Sequence, residues 1–428
     1  IRDQVVTGVQ TCALPISFNG YTPTKESADK VASPPYDVMN ADEARVYAAD
    51  KPLSFIRVVK SELEFPKEAN PSKEEIYKKG AENLQMLIET SNLVRSGGDC
   101  FYIYRQQMGE HIQTGIVAGA SVDEYNQNII KKHENTLTEK EIDRANHVDS
   151  LNANAGPVFL TYYNVKEIDA LVSQISANTP DIDFTAEDGI KHTLWIVNSA
   201  DQVQQIADLF AQKVPYMYVA DGHHRSAAAS HVQRRRMEKN SNHTGDEQYN
   251  FFLTVIFPDD QMYIMDYNRV LKEYNGHSVQ EILDMVGKGF EITELNVANA
   301  EEAKPKARGN FAMYIDGKWY NIEAKPEVIP VNDPVNSLDV AILQKNVLTP
   351  IFDIENPKTD KRIGFVGGIR GLKELERRCN TDCKVAFGCF PTGIDQLMAI
   401  ADANEVMPPK STWFEPKLRS GMVVRAID

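Results

Sequence analysis

The sequence predicts an α/β protein, and three observations carry that expectation. Strand-like and helix-like segments alternate along the chain, the mixture expected of layered sheets and helices. The stretch "YMYVADGHHRSAAAS", residues 216–230, runs from an apolar strand into a helix of small residues through one glycine. The longest apolar runs are strand-length, so no segment reads as a membrane span.

The elements follow in order. "ADKVASPPYDV" reads as an extended run stopped by Pro34 and Pro35, each of which pushes its predecessor out of helix. Ser33-Pro34-Pro35-Tyr36 is therefore a stiff turn. "SKEEIYKKGAENLQMLIET" is an amphipathic helix with Ile76, Ala81, Leu84, Leu87 and Ile88 on one side. "CFYIYRQQM" and "HIQTGIVAGASV" alternate and read as paired strands. Thr138 with Glu141 marks a capping-box start. That helix should run to about Asn152, before Gly156-Pro157. "VFLTYYNV" and "TLWIVN" are strands, and "ADQVQQIADLFAQK" is a helix. "YNFFLTVIF" and "QMYIMDYNRV" read as a hairpin around "PDD". Residues 278–330 give a helix and then a strand pair near "NFAMYIDGKWYNIEA". "SLDVAILQKNVLTPIF" is a helix that opens the C-terminal part.

A chain of 428 residues implies two or three domains. A hydrophobic share of 42% and a charged share of 25% suit an ordinary globular core. The net charge of -15 argues against non-specific binding to nucleic acid or anionic lipid. Five cysteines without framework spacing suggest reduced thiols and a cytoplasmic protein. "VTGVQTCALPI", Val6 to Ile16, reads as the translation of a sequencing-library adapter. Residues 1–16 are therefore set aside as extraneous. The remainder divides into a core, residues 17–275, and a C-terminal α/β portion, residues 276–428, that completes the site.

Asp221-Gly222-His223-His224-Arg225 is the strongest candidate for chemistry. A glycine at a strand-to-helix turn allows a tight bend and close approach of a ligand. The new helix offers free backbone N–H groups and the positive end of its dipole. Arg225 adds a fork suited to phosphate. The histidines can donate to phosphate or act as acid and base. Asp221 can cap the helix, orient a histidine or hold a metal. The bland alternative is an ordinary Asp-Gly turn, but two histidines and an arginine in one turn make a polar cluster of the kind that carries function. Lys140, Arg144 and His147 share a helix face, with Asp143 placed to pair with His147. On spacing alone a solvated helix with ordinary ion pairs explains them better. Glu134 beside His133 is a candidate base. In "MPPKSTWFEPKLRSGMVVR", Lys410, Ser411, Thr412, Lys417, Ser420 and Gly421 could line an anion pocket, although an ordinary surface connection looks the same. A metal site on His223, His224 and His231 is a further alternative without a recognised ligand spacing.

Together "VADGHHR", "PPYDV", "HENT...EKEIDR", "AGPVFLTY" and "MPPKSTWFEPKLRSGMVVR" resemble the bacterial proteins grouped as DUF1015, from about Phe18 to Arg425. "DGHHR" also resembles the signature of the ParB/sulfiredoxin superfamily, whose turn binds nucleotide phosphates. One branch of that group comprises free-serine kinases. The resemblance implies a ParB/sulfiredoxin-like core with large insertions. It also implies a kinase that uses ATP or ADP with Mg2+ to phosphorylate L-serine or a similar hydroxyl compound. Asp221, Glu134, His224 and Arg225 would be catalytic, with Glu134 nominated for its position rather than carried over. Gly222, His223, His224, Arg225, Lys140, Arg144, Lys410, Ser411 and Thr412 would bind the nucleotide, and Asp221 or Glu134 would meet the metal. His223 stands where sulfiredoxins have cysteine, so sulfinic acid reduction is not expected. The alternatives are a nucleotide-binding switch that hydrolyses slowly or not at all, and a metal-dependent hydrolase. The expected partners are a nucleotide and a small molecule, with no nucleic acid or membrane, and a homodimer is among the expected assemblies.

Overall fold

The computed structural model describes residues 12–428, which form a mixed α/β protein of two compact units. The first comprises residues up to 262 together with 416–428, and the second residues 263–415. The boundary expected at 275/276 thus falls inside the second unit, and the last residues return to the first. The reason is strand pairing: Tyr267–Leu271 is bound on both edges by strands of the second unit.

The first unit is built on an eight-stranded mixed sheet. Its order is Ile130–Lys131, Met217–Asp221, Val158–Tyr162, Phe251–Pro258, His111–Ser121, Phe101–Met108, Lys191–Val197 and Ile182–Thr185. Phe101–Met108 and His111–Ser121 pair antiparallel as their alternation predicts. Helices Lys166–Ser176 and Ala200–Lys213 cover one side through Ile168, Leu171, Ile175, Val203, Ile206 and Phe210. Burying such side chains contributes roughly 1.5–3 kcal/mol each. A second core joins Val31, Phe55, Val58, Leu84, Leu87, Leu151 and Val424. Helix Lys73–Glu89 enters it behind a Ser72/Glu75 capping box. Its buried face is Tyr77, Gly80, Leu84 and Leu87, one position off the expected Ile76 and Ala81. Ala28–Val31 forms a helical turn rather than an extended run.

The predicted hairpin across Pro258 does not form. Phe251–Pro258 pairs with His111–Ser121 and Val158–Tyr162. Asp259–Gln261 is a short 3-10 turn, after which the chain enters the second unit. That unit holds a six-stranded antiparallel sheet in the order Phe290–Leu295, Lys318–Ala324, Asn310–Ile315, Val385–Cys389, Tyr267–Leu271, Ile363–Gly367. One face packs on Ile282, Leu343, Val347 and Phe352, and another core gathers Leu372, Leu375 and Trp319.

Residues 1–11 of the supposed adapter lie outside the described residues. The remaining five are integrated: Ala13 is buried, and Ile16 pairs its backbone with Gly119 in both directions.

Candidate functional site

Strand Met217–Asp221 is buried through Ala220 and ends at Asp221. Gly222 then adopts φ +98, a left-handed conformation that side chains rarely tolerate. A Cβ there would lie 3.4 Å from the Cα of Val158. Helix His223–Lys239 starts on Gly222 with no side chain capping it. Asp221 is not the helix cap that its position suggested. Its Oδ1 accepts from the N–H of Gly222 at 2.9 Å, while Oδ2 receives the Lys417 ammonium at 2.9 Å. Burial would raise this carboxyl, but Lys417 and Arg225 outweigh it and hold Asp221 well below the usual carboxylate range.

Arg225 donates to the Pro157 carbonyl at 2.7 Å and meets Asp37 at 3.5 Å. Its guanidinium lies 5.2 Å from the centre of the Tyr36 ring, and that of Arg144 lies 4.5 Å from the same ring. Two cations can gather at one ring because its quadrupole attracts each. The stiff Ser33–Tyr36 turn is what brings this ring in; Ser33 is locked by a backbone bridge to Ser420. Tyr36, Arg144, His147, Gly156, Arg225 and Ser420 line a cavity of about 40 Å³. That is room for one or two waters or part of a small anion, not for a whole nucleotide.

Beneath the turn His223 is buried, with its ring 4.3 Å from that of His133, edge to face. Glu134 Oε2 lies 3.8 Å from His223 Nδ1. Burial lowers the His223 pKa to about 4, partly offset by Asp221, so the ring is neutral. Burial pushes His133 down as well, with His223 adding to it. His133 Nδ1 and His223 Nε2 are buried without hydrogen-bond partners among the described residues. His224 Nε2 accepts from the backbone N–H of Leu137 at 3.3 Å.

Helix Thr138–Leu151 packs on the site helix through Ala145, Ala228 and Val232. It begins without the predicted capping box, because the Glu141 carboxylate is taken by Thr136 and by His231 at 2.8 Å. Asp143 does not pair with His147. It accepts from Lys73 at 2.6 Å, Tyr77 at 2.7 Å and Arg144 at 2.6 Å. His147 instead meets the Val58 carbonyl at 3.0 Å. The expected common face is thus kept only in part: Arg144 and His147 both line the cavity, while Lys140 stays exposed.

Within the first unit the fold gathers Glu134, Arg144 and residues 221–225 around one helix start. Lys410, Ser411 and Thr412 belong to the second unit. Sequence reasoning left Tyr36, Asp37 and His133 out of the site, and named Lys417 only as a possible lining of an anion pocket in the C-terminal motif. The first two and Lys417 sit in motifs it had noted, but nothing local ties them to Arg225 or Asp221. The three-histidine metal site does not assemble: His231 is held by Glu141 and Arg234, and among the described residues no group of three or more His, Cys, Asp or Glu is placed to hold a metal.

A family described as "Protein of unknown function (DUF1015)" matches residues 16–341. The chain belongs to DUF1015. No curated protein matches it. Solved structures similar to this DUF1015 chain include a free serine kinase in complex with AMP, at 15% identity and TM-score 0.34, covering 70% of this chain and 86% of that one. A conserved hypothetical protein from Pyrococcus furiosus is 15% identical with TM-score 0.34, covering 74% and 97%. SbnI with C-terminal truncation from Staphylococcus aureus is 10% identical with TM-score 0.37, covering 71% and 85%. No helix among the described residues is long and apolar enough to cross a membrane.

Proposed function

We propose that this protein holds the phosphates of ATP or ADP at the Gly222 turn and transfers a phosphoryl group to a small hydroxyl compound, with free L-serine as the first candidate. One observation carries this reading: an uncapped helix start on a left-handed glycine, with Arg225 and Arg144 converging on Tyr36 beside it. Backbone N–H groups, a helix dipole and two guanidiniums form a cradle for phosphate oxygens. The kinase and serine assignments rest on the resemblance of "DGHHR" to the serine kinase signature. Phosphoryl transfer asks mainly for positioning and charge, which this inventory supplies in kind.

In the transfer, the acceptor oxygen bonds to phosphorus as the bond to the nucleotide breaks. The hydroxyl proton goes to Glu134, since His224 Nε2 already accepts from Leu137. Arg225 and Arg144 offset the charge on the moving group. Asp221, anionic and with lone pairs beyond those used by Lys417 and Gly222, would hold Mg2+, which would supply positive charge to offset the phosphates. The cavity of about 40 Å³ must open for a nucleotide to enter, and release of Arg225 from Pro157 and Asp37 would open it. That same closed arrangement favours a second reading, a nucleotide-binding switch. We place either activity in the cytoplasm, and keep a homodimer as a proposal.

Phosphorus NMR on protein with Mg2+, ATP or ADP, and L-serine tests the kinase. Phosphoserine should form, and Arg225→Ala should cost roughly 2–4 kcal/mol of transition-state stabilisation, as for losing one oriented donor. Full activity in that variant would remove Arg225 from the mechanism. Nucleotide binding without a phosphorylated product would leave the switch.

A further inference from the structure

The second unit carries a cleft of its own. Trp413 lies against Gly367 so closely that a Cβ there would come within 2.7 Å of the indole. Only glycine leaves that space. The Trp413 ring meets Tyr267 edge to face at 5.2 Å, and Tyr267 meets Phe365 in the same way at 6.0 Å. These three rings form one wall of an open cleft of about 660 Å³, within the range of roughly 300–1,000 Å³ usual for small-molecule sites.

Cations line the same cleft. Arg377 is paired with Glu374 at 2.7 Å, and Arg378 with Asp382 at 2.7 Å. Arg370 also lines the cleft and is exposed, with no hydrogen bond or ion pair among the described residues. Three guanidiniums against two carboxylates leave a local positive excess on a chain whose net charge is -15. Lys410, expected from the sequence to meet an anion, reaches the same aromatic wall, with Nζ 5.6 Å from the centre of the Tyr267 ring. A cluster of aromatic rings in the same cleft as an unpaired guanidinium suits a ligand with a ring at one end and an anion at the other.

We propose that this cleft binds a small planar anion, an aromatic ring carrying a phosphate or a carboxylate. The proposal does not depend on the phosphate turn at Gly222. Full-length protein carrying Arg225→Ala and labelled with fluorotryptophan would be titrated with AMP and, separately, with benzoate. The three tryptophan signals are distinguished by Trp413→Phe. The Trp413 signal should move saturably with at least one probe, and Arg370→Glu should weaken that binding about tenfold or more, as for loss of a charge-assisted contact. A response to AMP alone assigns the anion as phosphate, and a response to benzoate alone as carboxylate. A Trp413 signal indifferent to both at millimolar concentration, or a titration unchanged by Arg370→Glu, overturns the proposal.

Discussion

Asp143 is held by three donors, Lys73, Tyr77 and Arg144, none of which its sequence neighbourhood singles out. Burial would raise its carboxyl, but these three hold it far below the ordinary range. The anion also presses on Tyr77, whose hydroxyl is pushed up to about 12 by burial and then by this hydrogen bond. A carboxyl with a depressed folded pKa stabilises the fold above its unfolded pKa, and that contribution fades as pH falls through the folded value. Asp143→Asn should therefore cost about 1.5–3 kcal/mol at neutral pH, the usual worth of hydrogen bonds to a charged group. The deficit relative to the parent should shrink on acidification below the usual carboxylate pKa of 3.8. Urea titrations at a series of pH values would measure both, and a deficit that does not change with pH would mean that the charge of Asp143 contributes nothing. The substitution should also loosen Arg144 above Tyr36, because Asp143 is the carboxylate that the guanidinium grips.

At the level of elements, the strand-turn-helix from Met217 to Lys239 sets the geometry of the proposed phosphate site. Gly222 at φ +98 is the single position on which the turn depends. Gly222→Ala should cost about 1–2 kcal/mol for the left-handed conformation alone. It would also place a methyl group 3.4 Å from the Val158 Cα, at ordinary contact distance. The strain should tilt the helix start, so nucleotide binding measured by calorimetry should fall by more than the stability loss explains. Unchanged affinity would separate the turn from the phosphates. This element was legible in the sequence because every signal in it is local: an apolar strand, a glycine, then small helix formers. The paired strands 101–108 and 111–121 were legible for the same reason. The hairpin over Pro258 was misread because two adjacent strand-like runs look alike whether they pair with each other or belong to different sheets. The capping box at Thr138 failed through competition. Glu141 faces His231 from another helix, a partner ninety residues away along the chain, and a tertiary contact of that kind outbids a local cap. Lys417 on Asp221 and Asp37 on Arg225 are likewise long-range pairings that no spacing rule reaches.

The whole molecule divides its titrating groups unevenly between its two units. In the first, burial lowers His147 to about 4, His192 to about 3 and His223 to about 4, from an ordinary 6.5. All three are folded as neutral rings: His192 sits between the Tyr104 hydroxyl and Arg419, and His147 on the Val58 carbonyl. The unfolded chain takes up protons at each as pH falls below 6.5, while the folded chain resists. Stability supplied by these histidines is complete above that pH and is lost toward pH 4, on the order of 1.4 kcal/mol per pH unit for each. Asp143 and Asp221 extend the loss at lower pH. The second unit contains the opposite case. Burial raises Asp339 to about 6, despite two contacts from the Gly309 N–H and the nearby Arg308. Its folded form prefers the proton, so its contribution is complete below the ordinary 3.8 and is lost as pH rises through about 6. Between pH 6.5 and 4 the first unit should therefore weaken while Asp339 supports the second. Tryptophan positions allow the two to be followed separately, since Trp195 lies in the first unit and Trp319 and Trp413 in the second. Thermal melts of Trp195→Phe and of the Trp319→Phe, Trp413→Phe pair variant should show one transition falling with pH and the other holding. The falling transition should be the one seen by Trp195. If both reporters melt together at every pH, the units unfold as one and the histidines act on the whole chain. If the Trp195 transition does not fall toward pH 4, the three rings are not kept neutral by the fold, and the neutral His223 beneath the Gly222 turn is lost with them.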